Sequence, residues 1–92
     1  MKLEFEWDEA KARENLKKHK VSFDEGKTIF NAPFLLTFPD INTSDAEERY
    51  VNIGLSIRDR LLVLIHTERP GRIRIISCRK ATARERRYYE EG

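Results

Sequence analysis

Apolar and polar positions change rhythm several times along this chain, and each change marks an element. Leu3-Glu4-Phe5-Glu6-Trp7 alternates apolar with acidic, which predicts a short half-buried strand whose acids suit a sheet edge. From Asp8 to about His19 the alternation gives way to Ala12 and Leu16 one turn apart. Asp8 is a good N-cap, and Lys17, Lys18 and His19 sit at the negative end of the dipole, so a largely solvated helix is expected. Ser22-Phe23-Asp24-Glu25 forms a capping box behind Val21 and opens a second helix running to about Phe30. Gly26 inside that helix should cost roughly 1 kcal/mol relative to alanine, and Asn31-Ala32-Pro33 ends it.

The second half is dominated by a period of two. Residues 34–38 make a short apolar strand, and residues 40–48 an acidic polar loop with the composition of a mobile segment. Residues 49–57 alternate strictly, with Val51, Ile53, Leu55 and Ile57 toward a core. After a tight turn at 58–60, five consecutive apolar residues from Leu61 to Ile65 predict a central strand covered on both faces. Arg69-Pro70-Gly71 turns the chain into a last strand over 72–79, with Ile73 and Ile75 on one face and Arg72 and Arg74 on the other. Thr82-Ala83-Arg84-Glu85 is a second capping box and starts a short helix through Tyr88 and Tyr89. The order is β-α-α-β-β-β-β-α. Short connections make the late strands an antiparallel meander, and helices on one face of the sheet give a two-layer α+β domain spanning residues 1–92.

Composition narrows the function classes. No run approaches the roughly 20 apolar residues of a membrane span, and charges fill the opening residues where a signal peptide needs an apolar run. A single cysteine excludes an internal disulfide framework and sets a reducing cytoplasm as the default compartment. Two histidines and one cysteine argue against a Cys/His zinc site, and no phosphate-binding glycine loop or serine elbow is present.

Charge changes the picture more. The chain is only +2 overall, yet residues 69–87 hold Arg69, Arg72, Arg74, Arg79, Lys80, Arg84, Arg86 and Arg87 against one acid, Glu85. Guanidinium groups bind phosphate through paired hydrogen bonds, and Tyr50, Tyr88 and Tyr89 offer stacking surfaces for bases. The alternative is a solvated charged strand and helix paired to Glu68 or Glu48. A second constellation, His66-Thr67-Glu68, falls near Arg72 and Arg74 in a meander and supplies groups for acid–base chemistry; the alternative is a half-exposed histidine at a strand end. His19 reads as a helix C-terminal cation, and Trp7-Asp8 as a packed junction and N-cap. Cys78 adjoins Arg79 but shares its strand face with Ile76, so it reads as a buried, inert thiol.

The segments 5–11, Asn15-Leu16-Lys17-Lys18-His19, Val21-Ser22-Phe23-Asp24-Glu25 and 73–81, followed by Glu85 and Tyr88, together resemble the BrnT family of bacterial toxins. The pieces stand in the right order over nearly the whole chain. Lys20 departs from the pattern where a glycine would end the first helix, and Gly26 where alanine is expected. The resemblance implies a RelE-like fold and a ribonuclease that needs no metal or cofactor and shuts down translation. It also implies a BrnA-like antitoxin, with operator DNA met only through that partner and no membrane. Arg79 matches the last-strand arginine of the pattern, and Tyr88 or Tyr89 the later aromatic; Arg74 and His66 match by location. The expected catalytic set is therefore His66, Arg74, Arg79 and Tyr88, with Arg72, Lys80, Arg86 and Tyr89 on the RNA. The competing reading is a non-catalytic nucleic-acid-binding or protein-interaction module using the same cations.

Overall fold

A computed structural model describes residues 3–41 and 47–92; of the acidic loop expected at 40–48, residues 42–46 lie outside the described residues. Five strands form one sheet in the order β1-β5-β4-β3-β2. The strands are β1 (Glu4–Glu6), β2 (Leu36–Pro39), β3 (Arg49–Leu55), β4 (Leu61–Arg69) and β5 (Arg72–Lys80). The meander β3-β4-β5 is antiparallel as expected, β2 adds antiparallel to β3, and β1 pairs parallel to β5 at the opposite edge.

Helix α1 (Glu9–His19) begins at Asp8, whose carboxylate accepts from the Ala10 and Lys11 amides at 2.8 and 3.2 Å. It ends at Lys20 with φ of 62°, the left-handed conformation that glycine would reach without steric cost. Helix α2 is shorter than expected. It runs Phe23–Gly26 and tightens into a 3-10 turn over Lys27–Asn31. Gly26 is buried, and a Cβ there would stand 2.9 Å from the Cys78 sulfur and 3.1 Å from Leu64. The glycine thus buys close approach of α2 to the sheet at the expense of helix propensity.

Helices α1 and α2 and the 3-10 turn cover one face of the sheet, where Val21, Phe23, Ile29, Leu62, Leu64, Ile73, Ile75 and Cys78 form the main core. Helix α3 (Ala83–Glu91) departs from them and lies against the opposite face, where Tyr89 packs beside Ile53, Leu61 and Val63. The five-residue apolar run of β4 therefore feeds both sides, Leu62 and Leu64 one core and Leu61 and Val63 the other.

A bulge interrupts the β4–β5 ladder. Ile65 pairs with Ser77 but His66 pairs with Ile75, so Ile76 is an extra residue on β5. Because side chains alternate with period two, this one insertion shifts the phase of the strand. Ile73, Ile75 and Cys78 come to share the helix-covered core, and the partner of Cys78 expected from strict alternation, Ile76, does not join it. Burial pushes the Cys78 thiol up to about 12, which makes it inert.

Strand β1 pairs with β5 only from Arg72 to Arg74. Beyond it, α1 supplies what the missing strand would. The buried Asn15 amide donates to the Cys78 carbonyl at 2.7 Å and to the Val21 carbonyl at 2.9 Å, and its oxygen accepts from the Cys78 N–H at 3.1 Å. Across the sheet, buried Glu25 ties α2 to the β3–β4 turn by accepting from Ser56 Oγ at 2.7 Å and Arg60 Nε at 2.9 Å.

His66 sits in the main core, 2% exposed, contrary to the half-exposed strand end expected. Its ring stacks on Tyr50 at 5.2 Å and meets Phe30 edge-on at 5.6 Å. Asn52 donates to the Leu64 carbonyl at 3.0 Å and faces His66 Nδ1 at 2.7 Å, while its oxygen accepts from Thr37 at 2.8 Å. With both amide hydrogens committed, Nδ1 is the acceptor and the ring N–H is on Nε2, 3.5 Å from Glu68. Burial pushes the His66 pKa below its ordinary value, against the pull of Glu68.

Two measurements follow from these buried groups. Asn15→Ala strands three backbone groups and should cost roughly 3 kcal/mol in denaturant unfolding; a loss under about 0.5 kcal/mol would show the edge is satisfied some other way. For His66, a folded pKa below the unfolded one places its contribution fully above the unfolded value of about 6.5 and removes it as pH falls through the folded value. The unfolding midpoint should therefore drop on acidification below about pH 6.5, and a ring titration by NMR above that value would contradict it.

Candidate active site

The bulge decides what the other face of the sheet presents. Register places Arg72, Arg74 and Arg79 of β5 opposite Arg69, Thr67 and Val63 of β4, on the side away from α1 and α2. Strand β1 contributes Glu6 on the same side, opposite Arg74. Val51 and Ile53 of β3 and Phe38 of β2 continue the face across the sheet. Helix α3 leans over one end of it, leaving a cleft of about 520 Å³ lined by Phe38, Asp40, Val51, Ile53, Val63, Ile65, Arg79, Arg84, Glu85 and Tyr88. Its floor is apolar and its rim ionic.

The geometry of α3 fixes that rim. The Thr82 hydroxyl accepts from the Glu85 amide at 3.2 Å, and the Glu85 carboxylate accepts from the Thr82 amide at 2.8 Å, the capping box read from the sequence. The same carboxylate grips Arg79 through two bonds, Nη1 to Oε1 at 2.7 Å and Nη2 to Oε2 at 2.8 Å. Arg79 holds the Glu85 carboxyl at about 2, helped by Thr82 and opposed by burial. Glu85 in turn raises the Arg79 pKa, so both groups are charged at any physiological pH. One turn of helix beyond Arg84, Tyr88 stands 58% exposed with its ring edge-on to Phe38 at 6.3 Å.

Of the residues expected to carry chemistry, the structure brings Arg79 and Tyr88 together on this cleft. His66 is not there. It pairs beside the cationic strand as the meander implies, but on the helix-covered face, under Phe30 and Tyr50. Adjacency along a ladder and sharing a face are different conditions: His66 pairs with Ile75 and so turns to the side opposite Arg74. Arg74 shares the face of Arg79 but not its cleft. It lies about 13 Å along the strand at roughly 3.3 Å per residue and donates to Glu6 at 2.9 Å. Arg72 also meets Glu6, at 3.2 Å, so the acid partner of both arginines comes from β1 and not from Glu68 or Glu48. Lys80 pairs with Leu62 and so sits on the helix-bearing side at the strand end, exposed. Arg86 is exposed, 3.8 Å from Glu90, and Tyr89 is half-buried packing.

Arg84 stands outside the set expected from the sequence. It lines the cleft beside Arg79, and its spacing of four from Tyr88 was the available signal, since residues one turn apart share a helix face. A larger groove, about 600 Å³, runs between the basic end of α1 and Ile76 and Ser77 of β5. The buried polar side chain lining it, Asn15, has its hydrogen bonds made internally. Among the described residues no group of three or more His, Cys, Asp or Glu is placed to hold a metal ion, and no helix is long and apolar enough to cross a membrane.

The cleft sets the Arg79 guanidinium, held by Glu85, beside the Arg84 cation, an exposed aromatic ring and an apolar floor, groups whose chemistry suits a phosphate and an adjoining base. Comparison with known proteins gives that chemistry a context. No curated protein sequence matches the chain. The fold is similar to the crystal structure of the Brucella abortus ribonuclease toxin BrnT, with a TM-score of 0.69 and 23% identity over 88% of this chain and 99% of that one. A family model described as the ribonuclease toxin BrnT of type II toxin–antitoxin systems matches residues 7–85. That match takes in every element from α1 through β5 and the capping box that holds Arg79, and the chain belongs to the BrnT family of ribonuclease toxins.

Proposed function

We propose that this toxin cuts RNA endonucleolytically and without a metal ion in the cleft between β5 and α3. The observation that carries the reading is the meeting of Arg79, Arg84 and Tyr88 around one cleft with an apolar floor. Cleavage of RNA by its own 2′-hydroxyl passes through a phosphorane carrying extra negative charge. Donors fixed in place before the reaction stabilise that charge without reorganising. Arg79 is such a donor, because Glu85 and the α3 capping box hold it. Arg84 supplies a second cation from the helix, and Tyr88 a stacking surface for the base next to the scissile bond. Arg74 and Arg72, beyond the cleft on the same face, take flanking phosphates in competition with Glu6. Lys80 and Arg86 lie outside this cleft and add long-range attraction only. With His66 buried on the far face, charge stabilisation and positioning carry the catalysis here.

In the cell such activity would shut down translation, and a BrnA-like antitoxin would restrain it. Operator DNA would be met only through that antitoxin. A partner that covers the cleft must answer two cations and an apolar floor, so acidic and apolar side chains fit it.

Two experiments test this reading. Purified protein should cleave RNA in excess EDTA, and Arg79→Ala should lose roughly 10²–10³-fold in rate, the usual cost of one oxyanion donor, while relieving growth arrest. In the same assay Tyr88→Ala should weaken RNA binding by about 1–3 kcal/mol with an unchanged melting curve, because its ring is exposed. Full activity in a folded Arg79→Ala variant would displace the site. Second, the purified complex with the antitoxin should cleave nothing until the partner is stripped away, and a stable, fully active complex would exclude occlusion of the cleft.

A further inference from the structure

The Arg79 guanidinium carries five N–H groups. Two on Nη1 are spent, one on the Lys80 carbonyl at 3.3 Å and one on Glu85 Oε1 at 2.7 Å; one on Nη2 is spent on Glu85 Oε2 at 2.8 Å. Among the described residues no protein group takes the Nε hydrogen or the second Nη2 hydrogen. These two are the parallel pair along the side of the guanidinium, spaced to meet two oxygens of one phosphate. Arg79 is 39% exposed at its side chain and lines the cleft, so a phosphate arriving there and binding it through two bonds must take this edge.

Glu85 is itself held by the helix cap. It accepts from the Thr82 amide at the first turn of α3, and its own amide is held by the Thr82 hydroxyl. The carboxylate therefore transmits the position of the helix to the guanidinium. A free arginine side chain would have to give up its rotamer freedom when the phosphorane forms; here most of it is already gone. This costs attraction. A full negative charge beside Arg79 weakens the pull on any phosphate, bound substrate included. A carboxylate in that place makes sense for rate and poor sense for affinity.

We propose that Glu85 is a positioning residue for RNA cleavage: by holding Arg79 end-on through Nη1 and Nη2, it leaves the Nε–Nη2 edge fixed for the scissile phosphate. The inference rests on the ribonuclease reading of this cleft. It names a division of labour inside one guanidinium that a cap or a surface ion pair would not need.

The test is Glu85→Gln, which keeps the helix cap because glutamine serves at that position of a capping box. It loses the charge and the second bond to Arg79. Turnover on RNA should fall roughly 10–10²-fold, the scale expected when a catalytic group is misplaced. KM should stay level or drop, since a negative charge has left the phosphate site. In an Arg79→Lys background the same change should have no further effect on turnover, because there is no fork left to hold. Wild-type turnover in Glu85→Gln, or losses that simply multiply in the double variant, would overturn the proposal. A measurement on the unaltered protein stands beside these. Titration with an oligonucleotide whose cleavage-site ribose is 2′-deoxy should shift the Arg79 Nε–H resonance in an NMR spectrum. Binding of that oligonucleotide with the resonance unmoved would overturn it too. A wild-type protein that cleaves no RNA would instead sink the ribonuclease reading, and the positioning role with it.

Discussion

One extra residue in a strand sorts this molecule into a core and a working face. Without the bulge at Ile76, the alternation of β5 would set Ile73 and Ile75 against Cys78, and would divide Arg72 and Arg74 from Arg79. With it, the apolar residues of both halves turn toward α1 and α2, and the three arginines turn together to the other side. The close seat of Gly26 on Cys78, the Asn15 bonds to the same residue and the placement of Arg79 beneath α3 all presuppose that phase. The cationic face is as much a product of the ladder's irregularity as of its composition.

The parts of this arrangement that depend on local pattern were legible in the chain. Alternation through β3, the apolar run of β4, the Ser22 N-cap and the Thr82 capping box marked where those elements begin, because caps and periodicity are decided by neighbours in sequence. Two details differ: at Ser22 only the hydroxyl half of the box forms, because Ser56 and Arg60 take the Glu25 carboxylate, and β3 stops at Leu55, which leaves Leu55 and Ile57 exposed and not in a core. The parts that depend on long-range contact were not. A glycine in a helix reads as a weak point until the sulfur of Cys78 is known to lie over it. A histidine at the end of a strand reads as reachable until Phe30 and Tyr50 are seen around it. Glu6 lies 68 residues from Arg74 in sequence, and no spacing rule connects them. The site itself was half legible: Arg79 and Tyr88 stand together, while His66 belongs to the core and Arg84 takes a place that was not foreseen.

Glu85 shows how a small domain can give one side chain several tasks. It ends an orphan amide at the start of α3, neutralises part of a dense arginine segment, and orders the guanidinium beside the cleft. A chain of 92 residues has little interior in which to brace a catalytic group by packing alone. Bracing it from a helix terminus uses donors that the backbone must satisfy anyway.

Asn15 has a further consequence. Where β1 stops, β5 would present bare backbone at the rim of the sheet, the usual invitation for a foreign strand to add on and for copies of a protein to polymerise edge to edge. A side-chain amide that both donates to and accepts from Cys78 occupies the very groups such a strand would seek. At that point of the rim the toxin's own first helix already takes the place of a neighbouring strand, and a foreign strand could add there only by displacing Asn15.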